Sequence, residues 1–127
     1  ETLKNSSSGF FVTGLHPSAV DFSNYPGWTA DRLTASLDSE QATLRELGYS
    51  PDACWFNLKQ PPESVLQKKL AEGPFDCVMI GAGVRTNQDH FLMFEKLINT
   101  VHQYAPHAKI CFNTNPTDTA AAVQRWV

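Results

Sequence analysis

Cysteine, positive charge and long apolar runs are all scarce in this chain, and each scarcity removes a class of protein. No apolar stretch approaches the roughly 20 residues that a membrane-crossing helix requires, so no membrane partner is expected. The opening residues ETLKNSSSGF are polar, so they are not expected to form a secretory leader themselves, and a leader removed ahead of Glu1 stays open. Ten basic residues stand against 13 acidic ones, a net charge of -3, and they form no block. Binding a phosphate backbone needs Lys and Arg clustered on one face, so no nucleic-acid partner is expected. Cys54, Cys77 and Cys111 show no C-x-x-C spacing, and each falls inside a predicted strand. They read as reduced, buried thiols of a cytoplasmic protein, not as a disulfide framework or a zinc site. His90, His102 and His107 lack metal-ligand spacing, so no metal site is expected.

Missing motifs remove further activities. There is no G-x-x-x-x-G-K-[ST] phosphate loop and no G-x-S-x-G nucleophile turn. A phospho-receiver needs acids at the ends of its first and third strands, where this chain has Thr13-Gly14 and Ile80-Gly81. No cysteine lies in a loop beside a basic residue, which argues against thiolate catalysis.

Four short runs are nearly continuously apolar: residues 8–14, 52–58, 75–81 and 108–114. Strands covered on both faces read this way, whereas half-exposed strands alternate. Between the runs lie segments of helical period. Residues 29–48 carry Ala30, Leu33, Leu37, Leu44 and Leu47 on one stripe, with Thr29 as cap and Gly48 as stop. Residues 61–73 start on prolines and end on Gly73. Residues 87–106 place Phe91, Phe94, Ile98, Val101 and Ala105 on one face, and residues 117–127 begin at Thr117 or Asp118. The alternation implies a single α/β domain over 1–127, behind a disordered tail at 1–7. Its architecture is a three-layer α/β/α sandwich around a four-stranded parallel sheet, Rossmann-like or flavodoxin-like. The preferred strand order is 2-1-3-4, with 3-2-1-4 as alternative. Because the chain begins at Glu1 and its last helix runs to the end, trimming before it and continuation after it are both expected.

Ligands of open parallel sheets bind beyond the carboxyl ends of the strands, where strand order reverses. Two loops there carry the candidate chemistry. Gly81-Ala82-Gly83 opens onto a helix, and its amides with Arg85 suit an anionic group, oriented by Asn113 and Asn115 from the fourth strand's loop. Gly83 is expected to answer either a positive φ or a ligand's close approach. A dinucleotide fingerprint is incomplete, because Thr86 stands where the third glycine belongs. The connection after the first strand is long for its type and holds His16, Asp21, Tyr25 and Trp28. His16 with Asp21 would supply any acid–base catalysis, and in the order 2-1-3-4 His16 is expected near Arg85. The plainer reading is a hydrogen-bonded His16 and aromatic residues that cap the sheet.

The stretches FDCVMIGAGVR, MFEKLIN and CFNTNPTDT resemble a group of uncharacterised small bacterial and fungal α/β proteins. The resemblance runs from the first strand to Trp126 and implies a Rossmann-like fold, with Gly81, Gly83, Arg85, Asn113, Thr114, Pro116 and Asp118 as characteristic positions. That group has no assigned activity, so the likeness names neither a catalytic role nor a cofactor. Two functions remain in competition: a small-ligand site, enzymatic or not, and a regulatory or interaction module, with homodimerisation through an outer strand as one form of it.

Overall fold

Phe10–Leu15 forms β1, and all six residues are buried. In the computed structural model, which describes residues 9–127, this strand lies inside the sheet with neighbours on both sides. The tail expected at 1–7 lies outside the described residues. β2 (Asp52–Phe56), β3 (Cys77–Ile80) and β4 (Lys109–Phe112) complete a wholly parallel sheet in the order β2-β1-β3-β4. The preferred order therefore holds, and the alternative 3-2-1-4 is excluded. The two outer strands each begin on an exposed charged residue, Asp52 or Lys109, as unpaired edges commonly do.

Right-handed crossovers dictate the layers. The step from β1 to β2 runs one way along the sheet and puts α1 (Ala30–Glu46) on one face. The steps from β2 to β3 and from β3 to β4 run the other way and put α2 (Pro62–Leu70) and α4 (Phe91–Tyr104) on the opposite face. A one-turn helix, α3 (Ala82–Thr86), leads from β3 into α4, and α5 (Thr119–Gln124) returns from β4 to the α1 face.

Because side chains alternate across a strand, the apolar runs divide into two cores. Phe11, Leu15, Phe56, Val78 and Ile80 pack with Leu66 and Leu70 of α2, Val84 of α3 and Leu97 and Val101 of α4. Phe10, Val12, Cys77, Met79 and Cys111 face Leu44 of α1 and Ala120, Ala122 and Val123 of α5. All three cysteines are free and buried on strands.

Several local signals behave as the sequence suggests. Thr29 Oγ1 accepts the Arg32 N–H at the start of α1. Gly48 ends that helix at φ +97°, with Tyr49 N–H donating to the Leu44 carbonyl, a Schellman closure that folds Tyr49 back onto Leu44. Two expectations need correction. The 87–106 segment breaks after a short 3-10 turn at Gln88–His90, and Phe91 stands exposed while Leu97 and Val101 fill the core. Asp118 precedes α5 but does not cap it: its carboxylate accepts from the Thr114 and Asn115 amides and from Thr114 Oγ1, closing the preceding loop instead.

Candidate functional site

At the carboxyl ends of β1 and β3, on the α1/α5 face, the layers leave a cavity of about 200 Å³. Three features account for it. Gly14 at the end of β1 and Gly81 and Gly83 beyond β3 contribute no side chains to the floor. The covering helix α5 is only six residues long. The apolar stripe of α1, Leu33, Leu37 and Leu44, is interrupted by Glu40 and Gln41.

The roof is the long connection after β1. Two 3-10 turns, Pro17–Ala19 and Phe22–Asn24, bend it across the strand ends, so that Val20, Phe22, Tyr25 and Trp28 reach the cavity. Trp28 is fixed from outside by the Arg32 guanidinium, 4.2 Å from its ring centre, and Arg32 Nη1 also donates to the Gly27 carbonyl at 2.7 Å. Trp55 of β2 and Met79 of β3 add apolar wall.

The Gly81–Gly83 turn is built differently from a phosphate cradle. Gly81 has φ -69° and donates its N–H to the Thr13 carbonyl at 2.8 Å. A Cβ there would sit 3.3 Å from that carbonyl, so the glycine permits the close approach of β1 to the turn. The Ala82 N–H, at the start of α3, is taken by Asn113 Oδ1 at 2.8 Å. Gly83 is not at positive φ, and a Cβ on it would meet nothing within 4 Å, because it looks onto the cavity. The turn itself does not require Gly83.

Asn113 joins three elements. It is buried, its Nδ2 donates to Thr119 Oγ1 at 3.0 Å, and its carbonyl accepts from Arg85 Nη2 at 2.6 Å. Arg85 thus turns to β4, with its guanidinium 5.5 Å from the Phe112 ring centre, and it is not part of the cavity lining. Asn115 borders the cavity, but its Oδ1 is occupied by the Thr117 amide and hydroxyl. The Asp118 carboxyl is held below its ordinary range: burial opposes this, and the bonds from Thr114 and Asn115 outweigh burial.

His16 lies elsewhere. Its N–H continues the β1–β2 ladder by donating to the Phe56 carbonyl at 2.8 Å, and its Nδ1 pairs with Ser18. It borders a neighbouring groove with Thr34, Asp38 and Arg45, separated from the cavity by Leu37, Gln41 and Trp55. Asp21 is exposed and bonded to the amide and hydroxyl of Ser23. The expected approach of His16 to Arg85 is therefore corrected: the strand order is right, but His16 leaves toward β2 and Arg85 toward β4, away from the switch point between them.

Two residues unremarked in the sequence carry the free chemistry. Glu40 Oε1 accepts the Ala120 N–H at 2.8 Å, which satisfies an otherwise unpaired donor at the start of α5 and ties α5 to α1. Gln41 Oε1 is buried and accepts no hydrogen bond from the protein. Their signal was polarity on a stripe otherwise apolar at spacings of three and four. Among the lining residues Glu40 is the one charged side chain, and no Lys, Arg or His joins it. No protein-family model and no curated protein matches the sequence.

Proposed function

We propose that this is a small-ligand-binding domain whose site is the cavity between β1, β3, α1 and α5, roofed by Val20, Phe22, Tyr25 and Trp28. The observation that carries the reading is a room at the carboxyl edge with aromatic walls and a glycine floor, in a fold whose ligands bind at that edge. Its size limits the occupant. A dry apolar cavity of about 150 Å³ accepts benzene, and pockets for drug-sized ligands start near about 300 Å³, so about 200 Å³ suits one ring with a small substituent. A dinucleotide is far too large. An anionic group, the expectation from Gly81, Gly83 and Arg85, has no cation to meet in the lining, and the amide of Ala82 is already spent.

Thermal-shift titration with small aromatic compounds and with inorganic phosphate tests the reading. Aromatic probes stabilise the protein, and Gly83→Leu, which fills open space, abolishes that stabilisation without lowering the melting temperature of the free protein. Stabilisation by phosphate that disappears in Arg85→Met would restore the anion site.

The competing reading, an interaction module, draws on Phe91 and Leu92, adjacent and 60% and 65% exposed at the start of α4. Phe91→Ser with Leu92→Ser would then dissociate an assembly that sedimentation detects. A cytoplasmic location belongs to the same proposal, supported by three cysteines that are buried on strands and form no disulfide.

A further inference from the structure

We propose that the cavity selects a small aromatic cation, an amine or amidine, with Glu40 as its counter-charge. The inference rests on the reading of the cavity as a ligand site and specifies the polarity of what enters. Most of the polar lining is already committed: Thr13 to the Cys54 carbonyl, Asn113 to Ala82 and Thr119, Asn115 to Thr117, and Thr86 to the Ala82 carbonyl. Of what remains, indole, phenol and amide groups are neutral, and the one charge is the Glu40 carboxylate. Glu40 uses Oε1 for the Ala120 N–H, and no Lys, Arg or His among the described residues forms an ion pair with it. Gln41, beside it in the same wall, holds a buried oxygen that lacks a donor.

A half-buried carboxylate in an aromatic wall repels an anion and is compensated by a cation that brings N–H donors. The aromatic residues point the same way, since a ring face attracts positive charge. Trp28 already holds the Arg32 guanidinium on one side. Anchoring of Glu40 by the first turn of α5 keeps its carboxylate in place before the ligand arrives, which lowers the entropy cost of binding.

Benzamidine, benzamide and benzoate test this directly, being one ring with nearly the same substituent in cationic, neutral and anionic form. Calorimetry gives the affinities, and amide chemical shifts of the lining residues show where each binds. Benzamidine is expected to bind about tenfold or more tighter than benzoate, the equivalent of about 1.4 kcal/mol. Glu40→Gln keeps an acceptor for the Ala120 N–H while removing the charge, so it should weaken benzamidine about tenfold and change benzamide little. Should that variant fold poorly, the ranking of the three probes on the unsubstituted protein decides alone. Equal binding of all three in the cavity, or benzoate tightest, overturns the charge preference and leaves the cavity a ligand site. Failure of all three to shift the lining amides overturns both.

Discussion

Leu97 of α4 and Leu37 of α1 lean on opposite faces of one sheet, and only Leu97 is sealed. On the α2/α4 face, Phe11, Phe56, Leu66, Ile80 and Leu97 interlock, and the helices run nine and 14 residues. On the other face a 17-residue helix is partnered by one of only six, and Glu40 and Gln41 stand where its stripe calls for apolar side chains. Both faces belong to the same four strands, and what separates them is the covering helices together with the glycines at the strand ends, Gly14, Gly81 and Gly83. Both faces hold a buried core, but the α1/α5 core, centred on Phe10, Val12, Leu44 and Val123, stops short of the strand ends and leaves a room lined by Glu40 and Gln41.

That contrast can be broken first by truncation. Leu97→Ala should cost about 2–5 kcal/mol, the range for a fully buried leucine, whereas Leu37→Ala, beside existing empty space, should cost about 1 kcal/mol or less. Urea unfolding of both variants checks this, and equal losses would mean that the two faces share the load.

A smaller effect belongs to the polar loop between β4 and α5. Asp118→Ala removes the carboxylate that the Thr114 and Asn115 amides share, at an expected cost of about 1–2 kcal/mol. Since the folded-state value of Asp118 lies below its ordinary one, its contribution is present above the unfolded value of about 3.9 and is lost as pH falls through the lower folded value. Hydrogen exchange across residues 113–119 should accelerate in that acid window in the parent and show no such step in Asp118→Ala.

Gly83→Ala comes next. With open space for the methyl group and a helical position, it should stabilise by about 0.4–1 kcal/mol and narrow the cavity. A clear loss of melting temperature would show that the turn needs the glycine after all. Smallest of all, Gln41→Leu should shift the stability of the free protein by no more than about 1 kcal/mol, because an apolar side chain of similar shape replaces an acceptor without a partner. A loss of several kcal/mol would mean that the amide is part of the packing.

Much of the architecture was legible because it rests on local rules. The apolar runs marked β1 to β4, the stripe and Gly48 marked α1, and right-handed crossovers implied helices on both faces, while the order 2-1-3-4 was preferred over 3-2-1-4 only as the flavodoxin-like arrangement. The site was legible only as an address, the carboxyl edge between β1 and β3, with Gly81, Gly83, Asn113 and Asn115 at its border. What each polar residue spends its bonds on depends on neighbours far along the chain. Asn113 reaches Ala82, and Glu40 reaches Ala120, 80 residues away. His16 and Arg85 looked convergent because their strands adjoin, yet each bonds to the strand on its far side, Phe56 or Asn113. The clue that was available, Glu40 and Gln41 on an apolar stripe, lay inside a helix, where polarity reads as a solvated face until the partner layer is known.

The central claim, that the open face is a binding site and the sealed face a core, is tested most directly by following backbone amide shifts while benzamidine is added. The account predicts saturable shifts at Gly14, Gly81, Gly83 and Asn115, with Leu97 and Val101 unmoved. Shifts centred on His16 and Arg45 in the neighbouring groove, shifts around Arg85 and Phe112, or none at all would contradict it.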